Sequence, residues 1–143
     1  DVCSSDLFIK ALPHLLESSN RLLVVEGSSH ASVLPDVISF HFSHGHTPGH
    51  MHTVVTSNNR KVVFAGDLIP GRAWVHLPIT MGYDRFAEQV IDEKKSFYDL
   101  FANDNTWIFY THDHAVAMSR VRLSEKGRYE SFEDMESPIN YAI

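Results

Sequence analysis

Cysteine is almost missing from this chain: Cys3 is the only one in 143 residues. A disulfide framework is thereby excluded, and so is a metal site built on several thiolates. Long apolar runs are missing too. No stretch approaches the roughly 18 residues that a membrane-spanning helix needs, and the N-terminus has neither the basic segment nor the apolar core of an export signal. A soluble, cytoplasmic protein with no membrane partner is expected. Positive charge is scarce, with 12 Lys and Arg against 18 Asp and Glu, a net charge of -6, and no basic cluster interleaved with aromatics. A phosphate backbone needs such a cluster, so no nucleic-acid partner is expected. An initiating Met is also lacking. Residues 1–7, DVCSSDL, resemble the translation of a common sequencing-library adapter and are expected to be non-native, Cys3 with them. The 143 residues together are 43% hydrophobic and 21% charged, the make-up of one ordinary globular domain.

Periodicity divides the chain into elements. FIKALPHLLES (8–18) places Leu12, Leu15 and Leu16 at helical spacing, and Pro13 predicts a helix beginning near it, because proline lacks the donor an interior position uses. LLVVEG (22–27) and DVISFHFS (36–43) read as strands. MHTVVTS and KVVFAGD flank SNNR, whose Asn pair tolerates positive φ, so residues 51–67 predict a hairpin that ends on Asp67. LIPGRAWVHLPITMGY (68–83) has two Pro, two Gly and no period, which predicts a long loop. Asp84 is placed to cap a helix in which Phe86, Val90, Ile91, Phe97 and Phe101 share one face, while Glu88, Asp92, Lys94 and Lys95 face water. WIFYTHD (107–113) reads as a buried strand, and AMSRVRL and RYESFE as a last hairpin turning at residues 125–127.

Histidine, by contrast, is plentiful. Ten occur in the chain, four of them in SHGHTPGHMH (43–52). Three polar groups fall where apolar strands end: this cluster, Asp67 and His112. Two imidazoles and a carboxylate make a metal-ligand set that suits Zn2+ and needs no sulfur, with Mn or Fe as alternatives. His14, His30, His41 and His44 read as ordinary hydrogen-bonded histidines. His52 shares a strand face with His50, and both read as orienting or packing groups.

GHTPGH, the GD after VVFA and the HD after IFYT together resemble the second half of the metallo-beta-lactamase superfamily. GDLIP, HLPITMGYD and DEKK further resemble its branch of quorum-quenching lactonases and related ester or lactone hydrolases. The resemblance implies an α/β (α+β) fold, with residues 8–143 as the C-terminal half of an αββα sandwich: a mixed, mostly antiparallel sheet with flanking helices. It implies His46, Asp67 and His112 as metal ligands, His112 being preferred to His114, and His50 as a neighbour that orients a ligand. Two zinc ions would be bridged by the catalytic Asp67 and would activate water against a small-molecule ester or lactone. The family takes its other ligands from an HxHxDH string, and these 143 residues contain none. The fragment alone is therefore expected to be inactive.

In the 68–83 loop, Trp74, Leu77, Ile79 and Met81 are expected to offer apolar surface to an acyl chain, and His76 to contact substrate. The lactonases' Tyr soon after the bridging Asp is absent, since Leu68, Ile69 and Pro70 follow Asp67. Tyr83 is the residue left to replace it. PGHMH also resembles the HxH of a cupin barrel, but residues 53–57 contain no Glu and a long helix does not suit that barrel. A non-catalytic His-rich metal-binding module is the other alternative, and it would not need Asp67 and His112 at strand ends.

Overall fold

The computed structural model describes residues 4–25 and 34–138. The first helix, α1 (Ser4–Ser18), carries Pro13 inside it rather than at its start. Proline withholds one donor from the carbonyl four residues back, so a helix already begun runs on with that single bond missing. Residues 22–25 form no strand, and residues 26 and 27 of the expected one lie outside the described residues. Leu23 and Val24 stand exposed at 59% and 69%. An apolar run becomes a strand only where a ladder partner and a covered face await it.

Six strands follow in one sheet: β1 (Ile38–Ser43), β2 (His50–Ser57), β3 (Arg60–Phe64), β4 (Thr106–Phe109), β5 (Met118–Leu123) and β6 (Tyr129–Met135). Their spatial order is their chain order. Every neighbouring pair is antiparallel except β3 and β4. A parallel pair needs a long crossover, and here it consists of the loop after β3 and α2 (Ala87–Phe101). The β2–β3 hairpin turns on Asn58 and Asn59, at φ 49° and 64°, as a two-residue turn of that hand requires. At the β5–β6 turn Gly127 takes φ 71°. β4 ends at Phe109, so His112 lies beyond the strand, not at the end of one reaching residue 113. None of the helices among the described residues is long and apolar enough to cross a membrane.

The core lies between α2 and one face of the sheet. Val54, Val63 and Ile108 align in register across β2, β3 and β4. Val90, Phe97, Tyr98 and Phe101 of α2 join them in one buried cluster. Each large apolar side chain so buried contributes roughly 2–3 kcal/mol. The buried stripe of α2 differs from the expected one. Phe86 is 50% exposed and precedes the helix, whereas Lys94, expected to face water, is fully buried. Its ammonium donates to the carbonyls of Trp74 (2.6 Å), His76 (2.8 Å) and Ile79 (3.0 Å). Three acceptors for three protons make that burial tolerable, although desolvation still pushes the amine down to about 8.

The opposite face of the sheet is apolar as well. By the pleat it carries Phe40, Phe42, Met51, Val62, Phe64 and Phe109. Phe64 stacks on Phe109 at 5.5 Å, yet Met51 and Phe64 remain 41% exposed.

Candidate metal centre

Topology brings the polar groups to one sheet edge. β3 and β4 run parallel and so end at the same edge, and the antiparallel β2 begins there. The turn of residues 44–49 feeds β2. Gly45 rests against α2 so closely that a Cβ would lie 2.6 Å from the Val90 nitrogen, which only glycine permits. Glu93 of α2 accepts hydrogen bonds from the His44 and Gly45 backbone nitrogens, at 2.7 and 2.9 Å. From the segment before α2, Arg85 N–H donates to the His46 carbonyl and Phe86 N–H to that of Gly45. The turn is thus held on two sides, and His46 projects from it.

Asp67 sits in a single 3-10 turn, Gly66–Leu68, just past β3. Gly66 has φ 54°, and a Cβ there would meet His50 Nε2 at 2.5 Å, so conformation and space both demand glycine. His112 is fixed by its backbone N–H on the Pro70 carbonyl at 2.8 Å, while Thr111 Oγ1 donates to the Gly66 carbonyl. The result is a chain of contacts. His46 Nε2 lies 3.3 Å from Asp67 Oδ2, and His112 Nε2 lies 2.9 Å from Asp67 Oδ1. Each carboxylate oxygen faces one imidazole.

His46 uses its other nitrogen as well, with Nδ1 2.8 Å from Asp84 Oδ1. The Asp84 carboxylate is 1% exposed, and its Oδ2 accepts the Met81 N–H at 2.6 Å. Asp84 therefore does not cap α2, whose N-cap is Phe86 with no side-chain cap bond. A caged carboxylate outbids a helix end when a nearby imidazole offers a directed N–H.

His50 is neither in that chain nor far from it. Its Nε2 accepts the Asp67 backbone N–H over a long 3.4 Å, and its Nδ1 is 3.5 Å from Ser43 Oγ. Ser43 Oγ in turn is 2.8 Å from His52 Nε2. Burial lowers the pKa of His50, helped by His46, and lowers that of His52 to about 3, helped by His50 and His41. Both are neutral at pH 7 and serve as acceptors and packing groups. His41 is lowered likewise and meets the rings of Phe97 and Phe101.

The remaining expectations divide. His112, not His114, makes the contact with Asp67; His114 is exposed in the bend that follows. Between them, Asp113 accepts from the Arg72 guanidinium and from the Arg72, Ala115 and Val116 nitrogens. Desolvation opposes its charge, but these donors outweigh it and hold the carboxyl well below the usual range. The charges acting on His76 are Arg128 and Lys94, after a first effect of desolvation, and all three lower it. Tyr83 is 71% exposed with its ring edge-on to His46 at 6.0 Å. Of the four apolar loop residues, Met81 is buried and Leu77 packs on the core, which leaves Trp74 and Ile79 toward the surface. Asp84, Glu93 and Ser43 carry no spacing signal that ties them to GHTPGH. They are found only in three dimensions.

Whether these residues fit a metal turns on the donor set. Among the described residues no group of three or more His, Cys, Asp or Glu side chains closes around one point as a complete metal site does. The three donors instead form a line, imidazole to carboxylate to imidazole. A carboxylate shared by two centres gives that line, one donor pair on each side. The residues fit part of a two-metal site.

The sequence pattern of the metallo-beta-lactamase superfamily matches residues 6–112. No curated protein matches the chain. Among solved structures, a probable metal-dependent hydrolase from Staphylococcus aureus is similar at TM-score 0.69 and 26% identity, covering 87% of this chain and 42% of its own. AidC, a dizinc quorum-quenching lactonase in complex with a product, is similar at TM-score 0.61 and 23% identity, covering 90% and 43%. The hydrolase AbOPH in the beta lactamase superfamily gives 0.55 and 18%, covering 65% and 33%. At those identities the last two show likeness of fold alone. The chain spans about two fifths of the length of the first two.

Proposed function

Because the chain belongs to the metallo-beta-lactamase superfamily, we propose that it supplies three ligands, His46, Asp67 and His112, to the dinuclear zinc centre of a hydrolase acting on a small ester or lactone. One observation carries the reading: the two oxygens of Asp67 each face the Nε2 of a different imidazole, at 3.3 and 2.9 Å. With Asp84 accepting from Nδ1, His46 Nε2 is the nitrogen that faces Asp67 Oδ2, 3.3 Å away, and a cation held by that pair would take one donor from each. A divalent ion held there would supply Lewis acidity and lower the pKa of its bound water from about 16 to about 7.

The chain's own residues do the rest. Asp67 would offer one carboxylate oxygen to each centre, and His50 Nε2 steadies it by accepting the Asp67 backbone N–H. The Tyr83 phenol stands beside His46 and open to solvent, placed to donate to a carbonyl oxygen. Trp74 and Ile79 offer the apolar surface that an acyl chain would cover. Three ligands spread over two centres leave each short of a four-coordinate shell, so tight binding requires the further donors that the family pattern expects from HxHxDH. The relatives' descriptions support the reaction class: one is a probable metal-dependent hydrolase and one a dizinc quorum-quenching lactonase.

Calorimetric zinc titration of this chain, paired with lactone and aryl-ester assays, tests the reading. Weak binding that Asp67→Ala abolishes is expected, with no turnover above that of free zinc. Robust zinc-dependent turnover by these 143 residues would overturn the ligand count.

A further inference from the structure

We infer that Asp84 is a positioning residue that fixes His46 in the Nδ1–H tautomer before any metal arrives, so that its Nε2 lone pair already points at the space beside Asp67. The role rests on the metal reading given above, but the contacts that carry it are separate from Asp67 and His112. An ionised carboxylate only accepts, so the 2.8 Å contact between Asp84 Oδ1 and His46 Nδ1 requires the proton to be on Nδ1. A neutral imidazole carries one such proton, which leaves Nε2 bare.

The carboxylate has little freedom to give up this contact. Its second oxygen holds the Met81 N–H at 2.6 Å, its own N–H binds the Met81 carbonyl, and the side chain is 1% exposed. The partner is held as firmly. Arg85 N–H and Phe86 N–H bind the carbonyls of His46 and Gly45, and Glu93 takes the His44 and Gly45 nitrogens. Lys94, buried on α2, lies near enough for Asp84 to raise its pKa against desolvation, so a cation balances the buried anion. The segment of residues 81–86 thus clamps the His46 backbone and selects its tautomer with one residue. A free imidazole prefers the other tautomer, and reversing it at the moment of binding would weaken the ligand; partners of this kind change metal affinity roughly 10 to 100-fold.

Long-range nitrogen–proton NMR on the metal-free chain, recorded at a pH high enough that the His46 ring carries a single proton, reads the tautomer directly. The expected result is Nδ1–H at His46 in the wild type and a shift toward Nε2–H in Asp84→Ala, with zinc affinity falling roughly 10 to 100-fold. Asp84→Asn keeps one acceptor oxygen and should restore most of the Nδ1–H population. Nε2–H in the wild type would overturn the proposal without any variant having to fold. So would a folded Asp84→Ala chain with unchanged tautomer and affinity. The tautomer is measured without metal, so the metal reading fails separately, if Asp67→Ala leaves zinc affinity unchanged.

Discussion

Gly66 shows how a single residue shapes the site: its φ of 54° and the His50 ring 2.5 Å from where a Cβ would stand leave no room for any side chain. Gly66→Ala should therefore destabilise the fold by at least about 1 kcal/mol and displace Asp67, with weaker zinc binding as the second readout. A variant with wild-type urea midpoint and zinc affinity would show that the turn relaxes freely. His52 makes a prediction about acid. Burial lowers it from 6.5 to about 3, so the unfolded chain takes up a proton below pH 6.5 while the folded chain does not. Protons then favour unfolding: the stability present above pH 6.5 is lost as pH falls toward 3, at up to about 1.4 kcal/mol per unit. His41 and His50, also lowered, add to the same slope. Urea midpoints at pH 7 and 5 should separate for the wild type and separate less for His52→Gln; equal separations would remove His52 from the cause. His41, read from the sequence as an ordinary hydrogen-bonded histidine, is thus part of the packing beneath the site, beside His52. Strand ends singled out Asp67, His112 and the cluster 43–52, and the family resemblance chose His46 within that cluster. Neither signal finds Asp84, which lies 38 residues from its partner and resembles a helix cap.

Elements tell a similar story, in which local chemistry was readable and tertiary exceptions were not. Asn58 and Asn59 announced their turn because left-handed φ is a property of the residue itself. α2 announced its existence by period, but its buried arc includes Lys94, which a hydropathy pattern must assign to water. The carbonyls of Trp74, His76 and Ile79 override that assignment, and they belong to a loop with no period of its own. Tyr98 adds a hydroxyl bond to the Val75 carbonyl, so α2 pins the loop at four points. Lys94→Ala should strand three acceptors and open a cavity, destabilising the chain by roughly 3 kcal/mol in urea unfolding and loosening residues 74–79 in hydrogen exchange. A loss under about 0.5 kcal/mol, typical of a surface lysine, would mean that water replaces the ammonium without penalty.

At the scale of the molecule, α2 covers one face of the six-stranded sheet, while Met51 and Phe64 on the other face remain 41% exposed beside Phe40, Phe42 and Val62. Such a face seeks a second apolar layer. The chain by itself is therefore expected to bind a hydrophobic dye while folded and to aggregate with concentration, and Phe64→Lys with Met51→Lys should reduce both; unchanged dye binding would place the exposed surface elsewhere. The strands and the helix α2 were legible in the apolar pattern and the mixed sheet was implied by the family resemblance, but the run at 22–25 shows that an apolar segment is not a strand without a neighbour. The claim that matters most is that one carboxylate and two imidazoles, brought together by the parallel ends of β3 and β4, hold metal in common. Zinc titration followed by the imidazole nitrogen shifts of all ten histidines tests it most directly. The Nε2 signals of His46 and His112 should move together, with one affinity, and stop moving in Asp67→Ala. Movement of His14, His76 or His114 while His46 and His112 stay still would contradict the account.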